Sequence, residues 1–291
     1  IFLFITTSLI KLARMQFKFP PIIYLTGILL AGFFFAQSPH SLIATAQTVK
    51  QVNPQNVHQI QQNDVIYLGE NHDSPSIHQQ QLELITQFQQ NLADSKKELA
   101  IALEMFQRPF QPMLDRYLAG TISEDQLRKK TEYDTRWGFD WEFYAPILRF
   151  AKNQQISLIA LNTPAEITQK VAESGINSLA AKDFRYIPPL KDIKLDNTEY
   201  RQRLQEIYQQ HAKEGQGNST DADNFFAAQV LWDETMAEAI ALHHQKHPHS
   251  QIVVLVGKAH VMYDYAIHDR VDRRIRKPNF TQTTLLLNNQ S

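Results

Sequence analysis

The sequence contains no cysteine among its 291 residues. Disulfides, thiolate metal sites, cysteine nucleophiles and a lipid-modified amino-terminal cysteine are therefore excluded. A surplus of charge is also lacking, because 29 Lys and Arg residues face 30 Asp and Glu residues, which leaves a formal net charge of -1. Without a basic surplus to hold a phosphate backbone, we expect no nucleic-acid partner. Hydrophobic residues make up 43% of the chain, enough for one sizeable core.

Residues 1–46 have the three parts of a secretory signal. They carry three basic residues and no acidic one, then an apolar run from Ile22 to Phe35, then the small-residue site Ala44-Thr45-Ala46. We take Met15 as the natural start, so that residues 15–46 form either a cleaved signal peptide or an uncleaved membrane anchor. Either outcome predicts an exported protein, periplasmic or membrane-associated and facing outside the cytoplasm.

The remainder divides into a polar lead-in and one folded domain. Residues 47–63 are rich in Gln and Asn and show no apolar periodicity, which predicts a solvated segment. We assign residues 64–291 to a single α/β domain. The helical stretch from Ala222 to His244 has apolar side chains on two stripes, which predicts either deep burial or a subunit interface.

Short apolar runs separated by helical stretches predict the fold class. Three of the runs are nearly continuous in apolar character, as is typical of strands covered on both faces of a parallel sheet. We therefore expect an α/β fold with a mostly parallel central sheet flanked by helices, and a helical insertion between Ile176 and Asn218. The runs are Val65 to Leu68, Leu99 to Leu103, Ile156 to Leu161 and Ile252 to Val256, with Thr281 to Leu287 as a further edge strand.

Polar side chains follow these predicted strands. Gly69-Glu70-Asn71-His72 and Gly257-Lys258-Ala259-His260 share a Gly-x-x-His motif, and Glu104 with Arg108 follows another run. Because ligands of open α/β sheets bind at the carboxyl ends of the strands, we expect Glu70, His72, Glu104, Arg108 and His260 to form one site. Two alternatives remain open. In the first, the histidines only form hydrogen bonds with backbone groups at the strand ends. In the second, Arg108 forms an ion pair with Glu104 and does not hold a ligand carboxylate.

The segment from Tyr133 to Tyr144 is unusually aromatic. Its large rings, Trp137 among them, suit the wall of a pocket for a large flat ligand. Packing of a helix onto the core explains the same rings equally well.

Together these motifs resemble the ChaN-type haem-binding proteins, over about residues 60 to 265. The resemblance rests on Leu68 to Asp73, Ala102 to Phe106 with Arg108, Trp137 to Ile147, Ala228 to Ala237 and Val256 to Val261. That family is grouped with the Tiki proteases and resembles the erythromycin esterases in fold. Its known members are typically lipoproteins, a modification that this chain has no cysteine to accept.

The resemblance implies a haem-binding protein linked to haem or iron uptake, with haem bound near a homodimer interface. It also implies that Glu70, His72, Glu104, Arg108 and His260 form the shared polar site. Tyrosine, histidine and methionine all ligate haem iron. Under this hypothesis Tyr133 is the first candidate iron ligand, and Trp137 and Tyr144 line the cofactor site.

Two enzyme hypotheses compete with haem binding. In a metal-dependent hydrolase, His72, Glu104 and His260 would hold Zn, Mn or Fe, and the remaining carboxylate would activate water. In a metal-free hydrolase, His72 would act as the base, Glu70 would orient it, and Arg108 would bind the substrate. A Gly-x-Ser-x-Gly elbow is lacking, so no serine nucleophile is indicated. A pure interaction module is the remaining possibility.

Overall fold

A computed structural model describes residues 54–93, 95, 97–213, 219, 221–263 and 265–288. The predicted signal peptide or anchor in residues 1–46 lies outside these residues. Within them, no helix is both long enough and apolar enough to cross a membrane.

The described residues contain a five-stranded parallel sheet, which confirms the predicted fold class. Its strands lie in the order β3-β2-β4-β1-β5, so that the late strand β5 occupies an edge, as the sequence predicts. They are β1 (Val65–Glu70), β2 (Glu98–Gln107), β3 (Ser157–Asn162), β4 (Ser250–Gly257) and β5 (Gln282–Leu286).

Helices connect and cover the strands. They are α1 (Pro54–Ile60), α2 (Pro75–Leu92), α3 (Gln111–Leu118), α4 (Glu124–Lys130), α5 (Tyr133–Arg136), α6 (Trp141–Gln154), α7 (Ala165–Ser174), α8 (Thr198–Lys213), α9 (Ala222–Lys246) and α10 (Ile267–Ile275). The predicted insertion holds α8 and three short 3-10 turns, at Ile176–Ser178, Ala181–Arg185 and Leu190–Asp192. The apolar periodicity of the sequence did not predict α3, α4, α5 and α10, because these helices are short and bury few apolar side chains.

Alternate residues of each strand point to opposite faces of the sheet, and both faces are covered. In β1, Ile66 and Leu68 belong to an apolar cluster with α2 and α6. Val65 and Tyr67 belong to a second cluster with α9 and α10. This two-sided burial explains why the runs read as continuously apolar.

Helix α9 is apolar on two sides because it lies between the sheet and the insertion. Met236 and Ile240 pack with the strands. Phe226 and Leu231 pack in a third cluster, with α7 and the insertion that contains α8. The predicted deep burial is therefore confirmed for this helix.

The predicted solvated lead-in needs one correction. Within residues 47–63, Pro54–Ile60 form α1, and both Val57 and Ile60 are buried in the same apolar cluster as α2. Two apolar side chains three positions apart lie on the same face of a helix, and this face packs against the core. The segment is too short for that periodicity to be recognised in the sequence.

Candidate functional site

The first part of the site is a buried carboxylate, Glu70, at the carboxyl end of β1. Its side chain is 1% exposed. Oε1 accepts hydrogen bonds from Tyr144 at 2.5 Å and from His72 Nδ1 at 2.8 Å, and Oε2 accepts one from Gln81 Nε2 at 2.5 Å. A buried carboxylate is tolerated when donors surround it in this way. Glu70 therefore fixes the orientation of the His72 ring and leaves Nε2 facing the site.

The second part is Glu104, in β2 where its register with β3 shifts between Leu103 and Gln107. The backbone N–H of Gly257 donates to its Oε2 at 2.6 Å. A Cβ on Gly257 would stand 2.8 Å from His72 Nε2 and 3.5 Å from Glu104 Oε2. The absence of a side chain at Gly257 thus lets His72 and Glu104 come together at the sheet edge.

The third part is His260, in the 3-10 turn Lys258–His260 after β4. Its Nδ1 hydrogen-bonds Asp233 Oδ1 at 2.6 Å, and its Nε2 lies 3.5 Å from Glu104 Oε1. The fully buried Asp233 also accepts a hydrogen bond from the Tyr200 hydroxyl at 2.6 Å. A carboxylate at Nδ1 fixes both the tautomer and the orientation of an imidazole.

These three parts form one crevice, which we call the histidine crevice and define by Glu70, His72, Glu104 and His260. Each imidazole is held by its own carboxylate at Nδ1, and both Nε2 atoms lie close to Glu104. Aromatic rings line it, because the His72 ring contacts Trp137 with centroids 4.8 Å apart. Four of the five predicted polar residues are thus brought together.

Neighbouring charges decide the protonation of the crevice. Burial would lower the pKa of His260, but the charges of Glu104 and Asp233 outweigh burial and raise it to about 9. Burial likewise disfavours the charged form of His72, yet the hydrogen bond to Glu70 raises its pKa above the usual value. Burial also opposes ionisation of Glu70, but the hydrogen bond and charge of His72 lower its pKa. Near neutral pH His260 is therefore an imidazolium beside Glu104, and the pKa of His72 lies above its usual range.

This arrangement can move a proton or stabilise a developing negative charge. The His260 imidazolium N–H is a donor, and Glu104 is an acceptor placed beside it. Paired groups with perturbed pKa values in one crevice are typical of functional sites, although structural ion pairs perturb pKa values as well.

Arg108 has a different partner from the one that its spacing suggests. Its Nη1 donates to Glu238 Oε2 at 2.5 Å, so Arg108 pairs with α9 and not with Glu104. Both side chains of this pair are about one-fifth exposed. A role for Arg108 in holding a ligand carboxylate remains a prediction.

The aromatic candidates pack into the core. Tyr133 is 1% exposed, its hydroxyl donates to the Asp140 carbonyl at 3.4 Å, and its ring meets Trp141 with centroids 4.8 Å apart. Tyr144 is fully buried and donates to Glu70. Packing onto the core therefore explains the tyrosines, whereas Trp137 lies against His72 and its role as a pocket wall stays a prediction. Cofactor contacts of Tyr133, Trp137 and Tyr144 remain predictions.

Several residues of the site escaped the sequence reasoning. Gln81 and His78 lie one turn apart on α2, His78 Nε2 hydrogen-bonds the His72 carbonyl at 3.0 Å, and His78 Nδ1 bonds Gln81 at 3.1 Å. Two buried polar residues three positions apart on an apolar face were the available signal. Tyr200 gave no signal, because it comes from the insertion.

Among the described residues, no group of three or more His, Asp or Glu side chains is arranged to hold a metal ion. His72, Glu104 and His260 lie together, but the Nε2 of His260 faces the Glu104 carboxylate directly.

The fold is shared with a solved structure. A solved structure of ChaN from Campylobacter jejuni, described as showing cofacial haem binding, superposes with a TM-score of 0.63 at 18% identity, over 81% of this chain and 86% of that one. An erythromycin esterase mutant in its open conformation matches at a TM-score of 0.42 and 12% identity, over 76% of this chain and 69% of its own.

Residues 56–271 match the family model for haem-binding uptake proteins of the Tiki superfamily, ChaN, and the chain belongs to that family. Protein RETICULATA-RELATED 5, chloroplastic, of Arabidopsis thaliana is 27% identical over 129 residues, or 43% of this chain. The match spans 17% of the length of that relative.

Proposed function

We propose that this protein is exported and binds haem, and that haem binding serves the uptake of haem or iron. The observation that carries the proposal is membership of the haem-binding uptake family over residues 56–271. The predicted signal or anchor in residues 15–46 supports export.

Two tyrosines next to the histidine crevice are suitable iron ligands. Tyr263 and Tyr265 follow His260, are half-buried, and stack with ring centroids 5.2 Å apart. The Arg203 guanidinium lies 5.6 Å from the Tyr263 ring centroid and pairs with Glu206 at 2.9 Å, so a cation lies beside this tyrosine. Bound haem would supply the iron, and the chain would supply a phenolate ligand and a cation. The predicted ligand Tyr133 is less accessible, because its hydroxyl is buried.

A hemin titration tests binding and the ligand together. We expect a saturable shift of the Soret band at micromolar hemin. Tyr263→Phe or Tyr265→Phe should alter the bound spectrum, whereas Tyr133→Phe should leave the spectrum unchanged and affect stability only. No saturable shift in the folded wild-type protein would contradict haem binding. An altered spectrum with Tyr133→Phe alone would instead make Tyr133 the ligand.

A homodimer formed with haem is part of the proposal, since the C. jejuni protein is described as binding haem cofacially. Light scattering after size exclusion should show a monomer without hemin and a dimer at one hemin per chain. An unchanged mass at saturating hemin would reject the dimer but not haem binding.

Export is tested by recovering the protein from its native host. Periplasmic or membrane-bound protein whose amino terminus follows Ala46 would support a cleaved signal. A membrane-bound protein that retains residues 15–46 would support an anchor. Full-length protein confined to the cytoplasm would contradict export.

Hydrolysis is the second candidate, favoured by two imidazoles with raised pKa values in one cluster with Glu104. We would assay a panel of chromogenic esters with and without added Zn²⁺ or Mn²⁺, and after chelation. His72→Ala and His260→Ala should abolish any activity, while the exposed His249→Ala should not. Activity that requires metal would favour the metal-dependent version. Hydrolysis unchanged by both crevice variants would reject the candidate.

A further inference from the structure

A second polar cluster lies between α9 and α10, apart from the residues of the histidine crevice. Glu234 of α9 is fully buried and faces three arginines of α10. Its carboxylate lies 2.6 Å from Arg273 Nη2, 2.6 Å from Arg274 Nη2 and 3.4 Å from Arg270 Nε. One buried carboxylate therefore serves three guanidinium groups, which leaves an excess of positive charge.

Two guanidinium donors of this cluster are not satisfied. Arg273 Nε is buried and has no hydrogen-bond partner within the described ranges. Arg270 is 2% exposed, and its buried Nε has only the 3.4 Å contact to Glu234, which does not meet hydrogen-bond geometry. Buried charged donors without acceptors are costly, so binding of an acceptor that reached them would be favoured.

A cavity of about 370 Å³ lies against these two arginines. It is lined by Lys194, Asp196, Asn197, Asp269, Arg270 and Arg273. Asp196 and Asp269 are exposed, so water screens their charge, whereas Arg270 is buried, where charge acts more strongly. The inner end of the cavity is thus positive. The acidic side chains at its mouth disfavour a ligand with several negative groups.

We propose that this cavity binds a small molecule through a single carboxylate or phosphate group held by Arg270, Arg273 and Lys194. Guanidinium groups suit such oxyanions because their N–H donors match two oxygens at once. The volume lies near the lower end of the range for ligand pockets, about 300–1,000 Å³, and is too small to enclose haem. The proposal therefore does not depend on haem binding.

Calorimetric titration of the purified protein at low ionic strength tests the site. Inorganic phosphate and acetate serve as separate probes and distinguish a phosphate site from a carboxylate site. We expect saturable binding of at least one anion. Lys194→Met should weaken it about threefold, because an exposed charge contributes little. Arg273→Lys, which keeps the charge but removes Nε, should weaken it about tenfold.

Lys191→Met is the matched control, because Lys191 is exposed on the same segment but does not line the cavity. It should leave binding unchanged. Equal weakening by Lys191→Met and Lys194→Met would show a general effect of charge and overturn the proposal. Absence of saturable binding for both anions in the folded wild-type protein would overturn it too. If Arg273→Lys does not fold, the comparison of Lys194→Met with Lys191→Met still tests the proposal.

Discussion

The backbone N–H of Gly257 donates a hydrogen bond to Glu104 Oε2 at 2.6 Å, which joins residues 153 positions apart. The same glycine leaves the space that the His72 ring occupies. Gly257 and Glu70 are also paired in register between β4 and β1. One residue without a side chain thus lets three distant segments meet in the histidine crevice.

The first prediction concerns Gly257→Ala. Its Cβ would lie 2.8 Å from His72 Nε2 and 2.9 Å from His72 Cε1, closer than atoms normally approach. The ring must therefore move, which strains its bond to Glu70. We expect a loss of about 1–3 kcal/mol in the free energy of unfolding, measured with urea, because overpacking a core costs that much. The His72 imidazole signal in NMR spectra should also shift.

Gly120→Ala is the control for that variant. Gly120 has φ +70 and no atom within 4 Å of its added Cβ, so alanine there costs backbone strain alone, about 1–2 kcal/mol. The His72 signal should stay in place. Unchanged His72 resonances in Gly257→Ala would show that the ring does not depend on this space.

The strands and the crevice were predictable because their sequence signals are local. Continuous apolar runs predict buried parallel strands, and parallel strands place their carboxyl ends at one edge. That is why Glu70 and Glu104 are assignable to one site from the sequence alone. The two Gly-x-x-His motifs added the histidines.

The residues that each side chain contacts were not predictable from the sequence, because these contacts depend on tertiary packing. Arg108 follows Glu104 closely in sequence but pairs with Glu238 on α9. Tyr133 belongs to a segment whose aromatic composition is typical of a pocket wall. Its burial nevertheless depends on how α6 packs against the sheet. Local spacing carries no information about which distant helix supplies a neighbour.

The second prediction is that Tyr144→Phe destabilises the fold through Glu70. The phenol donates to the buried Glu70 carboxylate at 2.5 Å, and its loss leaves an acceptor position empty. We expect a loss of about 1–3 kcal/mol in urea unfolding, the cost of an unsatisfied buried group. The ring is kept, so packing is little changed. The pKa of Glu70 should rise, because one hydrogen bond that lowers it is gone.

Tyr117→Phe is the matched control, because Tyr117 is also a buried tyrosine. The described residues provide no hydrogen-bond partner for its hydroxyl. This variant should change stability by less than about 0.5 kcal/mol. Equal losses in the two variants would mean that the bond to Glu70 contributes nothing specific.

The third prediction is a loss of stability in acid that depends on His268. Its ring is packed against Tyr67, and burial lowers its pKa from 6.5 to about 4. Between these values the unfolded chain binds a proton that the folded chain does not, so stability falls as pH drops from about 6.5 to about 4. Below that range His268 causes no further loss.

His268→Phe should flatten this part of the profile, since phenylalanine keeps the ring and cannot be protonated. Thr284, whose hydroxyl lies 2.5 Å from His268 Nε2, loses a partner at every pH. That loss lowers stability equally at pH 7 and pH 5, so the difference between the two pH values isolates the imidazole. If variant and wild type lose the same free energy between pH 7 and pH 5, the assignment to His268 is wrong.

The fourth prediction concerns Asp233, which holds His260. The charge of Asp233 helps to raise the pKa of His260 to about 9. A raised pKa means that this stabilisation is fully present below about pH 6.5 and is lost as pH rises through about 9. Asp233→Asn keeps the shape of the side chain but removes the charge. The pKa of His260, followed by NMR, should therefore fall, and the alkaline loss of stability should become smaller and end at lower pH.

Tyr200→Phe separates the effect of charge from that of packing. It removes the 2.6 Å hydrogen bond to Asp233 but leaves the carboxylate charge beside His260. The pKa of His260 should then change less than in Asp233→Asn, although both variants lose stability because a buried polar group is left without a partner. If the two variants shift this pKa equally, the orientation of Asp233, and not its charge, controls the protonation of His260. If neither shifts it, the buried pair has no part in setting that protonation.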